Sequence, residues 1–240
     1  MKLAGKVAII TGAGSGIGRG IALALAQENV RIVVAGRRKT KLDETVELIH
    51  LQSGKAIAVA ADVSIERDVE TLVQTTLNNY RQIDILVNNA GIYAGNRVEN
   101  LDIKEWDQVM AINLRGPMLM TRAVLPSMRS QKQGHIINIS SESGLDYYQD
   151  DGAYGTSKHA LNALSEYTQR ENQSYNIRVN TICPGMVVTE MTENDAGLNH
   201  ERCLYPDDIA DLAIWLLTRR PNIKIGTPIL IQTMLNPWES

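Results

Sequence analysis

The chain has 240 residues, of which 44% are hydrophobic and 21% charged, values typical of a globular protein large enough to bury a full core. Its formal net charge of −3 leaves no basic stripe for neutralising phosphates, so no nucleic-acid partner is expected. The sequence has no apolar run of the roughly 18–20 residues that span a bilayer, no signal-peptide pattern and no metal-ligand spacing among its cysteines and histidines. We therefore expect a cytoplasmic protein with no membrane partner and no metal.

Apolar segments that indicate strands alternate along the chain with segments of helical spacing. The predicted strands, in chain order, are 7–10, 31–35, 56–60, 83–88, 135–139, 177–183 and 229–231. The predicted helices cover 21–26, 41–51, 65–80, 102–128 and 153–175, and a last helix begins after Pro206. Ser64 and Asp102 are expected to cap the third and fourth of these helices.

This alternation predicts the fold class. Strands that recur with helices between them require right-handed crossovers, which place helices on both faces of a mostly parallel sheet. We expect an α/β fold, with residues 1–240 in a single doubly wound domain of Rossmann type and a central parallel sheet of about seven strands. The irregular stretch 184–205 is expected to form a mobile flap over the carboxyl ends of the strands, where such folds bind ligands.

The segment after the first predicted strand is rich in glycine and reads Thr11-Gly-Ala-Gly-Ser-Gly-Ile-Gly18. A dinucleotide pyrophosphate needs a turn of little side-chain bulk, followed by a helix whose free N–H groups and positive dipole end face the anion. Gly12, Gly16 and Gly18 supply the turn, and the segment 21–26 supplies the helix. Because plain tight turns are also glycine-rich, the remaining motifs must decide between the two interpretations.

Further polar motifs lie at the ends of predicted strands and on the helices that follow. In chain order they are Thr11-Gly-x-x-x-Gly-x-Gly18, Asp62-Val63, Asn88-Asn-Ala-Gly91, Asn113, Ser140-Ser141, Tyr154-x-x-x-Lys158 and Pro184-Gly185. Each motif alone could be a turn, a cap or a helical pair. In order and spacing, over nearly the whole chain, the set resembles the short-chain dehydrogenase/reductase family.

The chemistry of the predicted catalytic residues follows from their types and spacing. Tyr154 and Lys158 are four residues apart at the start of a helix, so both side chains point from one face. A nearby ammonium is expected to lower the pKa of the phenol from its reference value of ~10, so that Tyr154 can act as general acid or base on a carbonyl oxygen. Ser141 can hydrogen-bond to the same oxygen. The resemblance implies that Asn113 completes the catalytic set by holding a water behind Lys158.

The resemblance also implies how a nicotinamide dinucleotide is bound. Asp62 would contact the adenine, Asn89 would line the cofactor groove, and Lys158 would hold the nicotinamide ribose. The backbone after Pro184, with Thr189, would hold the carboxamide. The expected cofactor-binding residues are Gly12, Ser15, Gly16, Ile17, Gly18, Arg37, Asp62, Val63, Asn89, Ala90, Gly91, Tyr154, Lys158, Pro184, Gly185, Val187 and Thr189.

The end of the second predicted strand bears on cofactor choice. An NAD-specific site of this fold places an acidic side chain there, which accepts hydrogen bonds from the ribose and repels a 2′-phosphate. Here Gly36 stands at that position, and Arg37 follows with donors that suit a phosphate. NADP(H) is therefore favoured over NAD(H). The alternative is that Arg37 to Lys41 form a solvated basic patch.

The sequence thus predicts an NADP(H)-dependent oxidoreductase that transfers a hydride between the nicotinamide and a small carbonyl or secondary-alcohol substrate. Family resemblance suggests a carbonyl or 3-oxoacyl reductase or a hydroxy-acid dehydrogenase, and segment 146–151 is expected to line the substrate side. The alternatives are an NAD-dependent alcohol dehydrogenase and a non-catalytic dinucleotide sensor or scaffold, which has no need of Tyr154 or Lys158. Surplus apolar positions predict a homo-oligomer, a dimer or tetramer, through Met118, Met120, Ala160, Leu161 and Leu164.

Overall fold

A seven-stranded sheet forms the centre of the computed structural model, which describes residues 2–193 and 195–239. Its strands are β1 (Val7–Thr11), β2 (Arg31–Gly36), β3 (Lys55–Ala60), β4 (Ile85–Asn88), β5 (Gly134–Ile139), β6 (Ile177–Pro184) and β7 (Ile229–Ile231). They lie in the order β3-β2-β1-β4-β5-β6-β7, and each neighbouring pair is parallel. The predicted doubly wound α/β fold is confirmed.

Helices connect the strands on both faces of the sheet. They are α1 (Gly16–Gln27), α2 (Lys39–Leu51), α3 (Glu66–Tyr80), α4 (Ile103–Met110), α5 (Gly116–Gln131), α6 (Gly152–Asn172) and α7 (Pro206–Leu217). Alternate residues of β1 point to opposite faces of the sheet. Ile10 packs in one core cluster with Leu25 of α1 and Ile209 of α7. Ile9 packs in the other cluster with Leu72 of α3. Burial on both faces explains why β1 is an unbroken apolar run.

The predicted helix 102–128 is divided in the structure. α4 ends at Met110, a π-helical turn covers Ala111–Arg115, and α5 begins at Gly116. The turn contains Asn113, whose side chain is 1% exposed and hydrogen-bonds to the backbone of Ile92. Single π-helical turns are frequent at functional sites. The sequence did not predict this one, because a side-chain hydrogen bond to a distant backbone group does not change the hydrophobic periodicity.

One of the two predicted helix caps is confirmed. Asp102 accepts hydrogen bonds from the backbone N–H groups two and three residues further on, at 2.7 and 3.1 Å. Ser64 does not cap α3, because the helix begins at Glu66 and its N-cap position is Ile65. The Ser64 hydroxyl instead donates to the carboxylate of Asp62 at 2.7 Å.

Three segments of the described chain meet at the carboxyl edge of the sheet. The strand order reverses between β1 and β4, which opens a crevice where folds of this type bind ligands. The glycine-rich segment follows β1, and Asn89 follows β4, on the two sides of this crevice. The segment 184–205, of which residue 194 is outside the described residues, lies over the same edge. Its Thr189 approaches the glycine-rich segment, because a Cβ placed on Gly16 would lie 3.2 Å from the Thr189 methyl group.

Two further features concern membranes and metals. Among residues 2–193 and 195–239, no helix has the length and apolarity needed to cross a bilayer. In the same residues, no group of three or more His, Cys, Asp or Glu side chains is arranged to hold a metal ion.

Candidate active site

Tyr154 and Lys158 lie one turn apart near the start of α6, beside the end of β5. The Lys158 ammonium nitrogen is 5.3 Å from the centroid of the Tyr154 ring and donates a 3.0 Å hydrogen bond to the carbonyl of Ile139, the last residue of β5. Ser141, two residues after this strand, hydrogen-bonds to the Tyr154 side chain. Three of the four predicted catalytic side chains therefore meet at the end of one strand.

Burial governs the protonation of this group. It raises the pKa of Tyr154 to about 12, while the hydrogen bond from Ser141 acts in the opposite direction with a smaller effect. Burial also lowers the pKa of Lys158 to about 8. The prediction that Lys158 lowers the pKa of the phenol is wrong for this structure, because desolvation of the phenolate outweighs the neighbouring groups. Near neutral pH, Tyr154 carries its proton and most Lys158 is charged.

Asn113, the fourth predicted catalytic residue, lies behind this group. Its Oδ1 accepts a 2.9 Å hydrogen bond from the N–H of Ile92, and its Nδ2 donates to the Ile92 carbonyl at 2.9 Å and to Ser157 Oγ at 3.1 Å. A Cβ placed on Gly91 would lie 3.4 Å from Asn113 Oδ1 and 3.7 Å from Lys158 Nζ. Asn113 thus ties the loop after β4 to α6, next to the lysine.

A cleft of about 270 Å³ at the carboxyl edge leads to Tyr154. Thirteen of the residues expected to bind the cofactor line it: Gly12, Ser15, Gly16, Ile17, Arg37, Asp62, Val63, Asn89, Ala90, Gly91, Tyr154, Lys158 and Thr189. Gly36 and Arg38 line it as well. The cleft therefore runs from the end of β2, past the glycine-rich turn, to the predicted catalytic group.

The glycine-rich turn is held in shape by Asn89. The Nδ2 of Asn89 donates to the carbonyl groups of Thr11 and Gly12 at 2.9 and 3.2 Å. Gly12 has φ +64, a left-handed conformation that favours glycine. Gly18, unlike Gly12 and Gly16, does not line the cleft, because it packs on Gly12 and Asn89, where a Cβ would collide with both.

A second cavity, of about 550 Å³, adjoins the cleft at Tyr154. Pro184, Gly185 and Val187, expected among the cofactor-binding residues, line this cavity and not the cleft. Ser141 and Tyr154 also line it. Segment 146–151, which the sequence predicts to line the substrate side, contributes Tyr148, Gln149 and Asp151 to the wall.

Several residues of the site have no sequence signal that could identify them. Tyr93, in the loop after β4, packs edge to face on Tyr154 with ring centroids 5.2 Å apart and hydrogen-bonds to Asp151. Glu142 and Trp238 line the second cavity. These residues come from loops or the C-terminal segment, where neither periodicity nor a motif indicates what a side chain will contact.

Known proteins resemble this chain over nearly its full length. A family model described as short chain dehydrogenase matches residues 6–197. An uncharacterized oxidoreductase of Staphylococcus saprophyticus is 36% identical over 229 residues, which are 94% of this chain and 97% of the relative.

Two solved structures have the same architecture. A metagenomic short-chain oxidoreductase in complex with NADP is 33% identical, with a TM-score of 0.85 over 98% of this chain and 100% of the other. An alcohol dehydrogenase from the archaeon Thermococcus sibiricus, complexed with 5-hydroxy-NADP, is 27% identical, with a TM-score of 0.88 over 98% of each chain. The chain therefore belongs to the short-chain dehydrogenase family of oxidoreductases.

Proposed function

We propose that this protein is an NADP(H)-dependent oxidoreductase that transfers a hydride between the nicotinamide and a small carbonyl or secondary-alcohol substrate. The observation that carries the proposal is the position of Tyr154, which lines both the cleft at the glycine-rich turn and the second cavity. A proton donor at this boundary can reach a substrate carbonyl in the cavity while the carbonyl carbon faces the cleft. A sensor or scaffold would not require such an arrangement.

The residues of the cleft fit a nicotinamide dinucleotide. The glycine-rich turn, open to the cleft at Gly12 and Gly16, would hold the pyrophosphate at the start of α1. Asp62 and Val63 would contact the adenine, and Thr189 the carboxamide. When bound, the dinucleotide would supply or accept the hydride.

The chain's own residues would manage the proton and the charge. In reduction, the neutral Tyr154 donates its proton to the carbonyl oxygen, and in oxidation it accepts one. Ser141, hydrogen-bonded to the phenol, would donate to the oxygen where negative charge develops. The Lys158 ammonium nitrogen, 5.3 Å from the ring centroid, would attract negative charge on the phenol as its proton leaves, although burial remains the larger influence on the pKa of Tyr154.

Preference for NADP(H) is supported by the end of β2. Gly36 offers no carboxylate to repel a 2′-phosphate, and Arg37 and Arg38 line the cleft immediately after it. The solved structures named above, with NADP and 5-hydroxy-NADP, are consistent with this preference.

The charge of the second cavity supports a carbonyl reductase over a hydroxy-acid dehydrogenase. Its wall contains the carboxylates of Glu142, Asp151 and Asp195, and no Lys, Arg or His among the described residues that form it. A substrate carboxylate about 6 Å from one of these groups would meet a repulsion of about 1–3 kcal/mol. Uncharged ketones and aldehydes avoid this repulsion.

NADPH oxidation with a panel of aldehydes, ketones, diketones, quinones and 3-oxo acids tests the proposal. We expect turnover with uncharged members, and about tenfold higher kcat/KM for the methyl ester of a 3-oxo acid than for the acid itself. The ester and acid share the reacting carbonyl and differ in charge. Equal kcat/KM values for the ester and the acid would contradict the preference for uncharged substrates. NADPH binding without turnover of any panel member would favour a sensor.

We also propose a cytoplasmic homo-oligomer, a dimer or tetramer. Two of the apolar residues expected at the interface, Met120 and Leu161, are 0% and 1% exposed because they pack into the chain's own core. An interface on α5 and α6 would instead use their partly exposed neighbours Met118, Ala160 and Leu164. Light scattering that gave a 26.5 kDa particle at micromolar concentration would contradict this expectation.

A further inference from the structure

Glu190, in the segment that covers the carboxyl edge, reaches across to the end of β2. Its Oε2 accepts a 2.9 Å ion-paired hydrogen bond from Arg38 Nη2, and its Oε1 lies 4.0 Å from Lys41 Nζ. The same nitrogen of Arg38 donates to Ser15 Oγ at 3.1 Å. We name Ser15, Arg38 and Lys41 together the Arg38 cluster. The cluster is a set of hydrogen-bond donors that faces one carboxylate, that of Glu190.

The carboxylate is held in its charged form. The hydrogen bond from Arg38, with smaller contributions from Ser15 and Lys41, keeps the pKa of Glu190 below its ordinary value. Glu190 is therefore an anion bound by one guanidinium nitrogen of Arg38 and the hydroxyl of Ser15, with the Lys41 ammonium 4.0 Å away. These are the donor types that bind phosphate.

The location of the cluster indicates which phosphate it suits. Arg38 follows Gly36 and Arg37 at the end of β2, all three line the cofactor cleft, and this strand end is where folds of this type contact the adenosine ribose. Ser15 belongs to the glycine-rich turn on the opposite side of the same opening. A phosphate on the ribose 2′-oxygen would use the donors that Glu190 now occupies.

We propose that Glu190 is a specificity-determining residue which competes with the 2′-phosphate of the cofactor for the Arg38 cluster. This inference rests on the NADP(H) preference proposed above. NAD(H) lacks the phosphate and leaves Glu190 paired with Arg38, whereas NADP(H) must displace it. Displacement removes an attachment of segment 188–193 to the body of the protein.

Movement of Glu190 would also shift its chain neighbours Thr189 and Met191, which lie closer to the reaction site. Thr189, expected to contact the carboxamide, precedes Glu190 and accepts a 3.2 Å hydrogen bond at Oγ1 from the N–H of Met191. Met191 lines both the cleft and the second cavity. The 2′-phosphate, although distant from the nicotinamide, would thereby alter how this segment covers the substrate.

The expected size of the effect follows from exposure. The side chains of Arg38 and Glu190 are 59% and 42% exposed, so their pairing is weak and an incoming phosphate loses only about three- to fivefold in affinity to it. Glu190→Gln keeps the size of the side chain and removes its charge. This variant should bind NADP+ and adenosine 2′,5′-bisphosphate about three- to fivefold more tightly than wild type, and NAD+ and 5′-AMP within about twofold.

Calorimetric titration of these four ligands measures the affinities without turnover. Glu193→Gln is the matched control, because Glu193 is an exposed acid of the same segment that makes no ion pair within the described part of the chain. Hydrogen exchange of residues 188–193 supplies a second measurement. Adenosine 2′,5′-bisphosphate should accelerate exchange in wild type, 5′-AMP should not, and in Glu190→Gln exchange should be fast without ligand.

Unchanged affinities in Glu190→Gln, or the same gain in Glu193→Gln, would overturn the proposal even if wild type binds NADP+ more tightly than NAD+. If wild type binds adenosine 2′,5′-bisphosphate no better than 5′-AMP, the proposed NADP(H) preference is wrong. The proposed competition between Glu190 and the 2′-phosphate is then wrong as well.

Discussion

The Lys158 ammonium nitrogen lies 5.3 Å from the centroid of the Tyr154 ring, and burial moves the pKa values of the two side chains in opposite directions. Burial lowers the pKa of Lys158 to about 8 and raises the pKa of Tyr154 to about 12. Below pH 8 the pair is therefore an ammonium beside a neutral phenol. This is the form that can donate a proton and stabilise the charge left behind.

The first prediction concerns pH. Because the charged form of Lys158 is disfavoured by burial, its charge is present below about pH 8 and lost as the pH rises through that value, well below the ordinary 10.5. The kcat/KM for carbonyl reduction should fall with a midpoint near pH 8. A profile that stays flat to pH 10 would show that burial does not set the charge of this lysine.

The second prediction is that Tyr154→Phe reduces kcat by about 10²–10⁴-fold, because the hydroxyl that transfers the proton is lost. The affinity for NADPH should stay within about twofold of wild type, since the ring remains. Tyr148→Phe, which removes a hydroxyl from the wall of the same cavity, is the control and should retain most activity. If Tyr154→Phe keeps more than about a tenth of wild-type kcat, another residue is the acid.

The third prediction concerns cofactor preference. Gly36→Asp combined with Arg37→Ala should shift the ratio of kcat/KM for NADPH over NADH by about ten- to a hundredfold towards NADH. The aspartate fits, because a Cβ at Gly36 would contact only Leu42 Cδ2, at 3.6 Å. The cofactor proposal is wrong if wild type already prefers NADH, or if the double variant has an unchanged ratio.

The fourth prediction concerns the glycine-rich turn. A Cβ at Gly18 would lie 2.6 Å from the carbonyl oxygen of Gly12 and collide with Asn89 Nδ2 as well. Gly18→Ala should therefore lower the free energy of unfolding by about 1–3 kcal/mol, measured in urea, and weaken NADPH binding. Gly226→Ala is the control, because nothing lies within 4 Å of a Cβ there. Equal stability of the two variants would contradict the packing argument.

Local patterns in the sequence predicted the order of the elements, and the resemblance to the short-chain dehydrogenase/reductase family supplied most of the expected site residues. Residues 7–10 of β1 and 32–35 of β2 are unbroken apolar runs because both faces of the sheet are covered, and such runs are visible in the sequence. Tyr154 and Lys158 could be paired because helical geometry brings residues four apart together. Thirteen expected residues line one cleft because parallel strands end at the same edge of a sheet.

Only the tertiary structure decided the protonation of the candidate catalytic side chains and the contacts that the site residues make. The high pKa of Tyr154 and the low pKa of Lys158 arise from burial by distant segments, which the spacing of the two residues does not reveal. The π-helical turn at Asn113 accompanies hydrogen bonds to Ile92, 21 residues away. Arg38 and Glu190 are 152 residues apart in the chain. Their contact, like the others, depends on how the loops fold over the sheet.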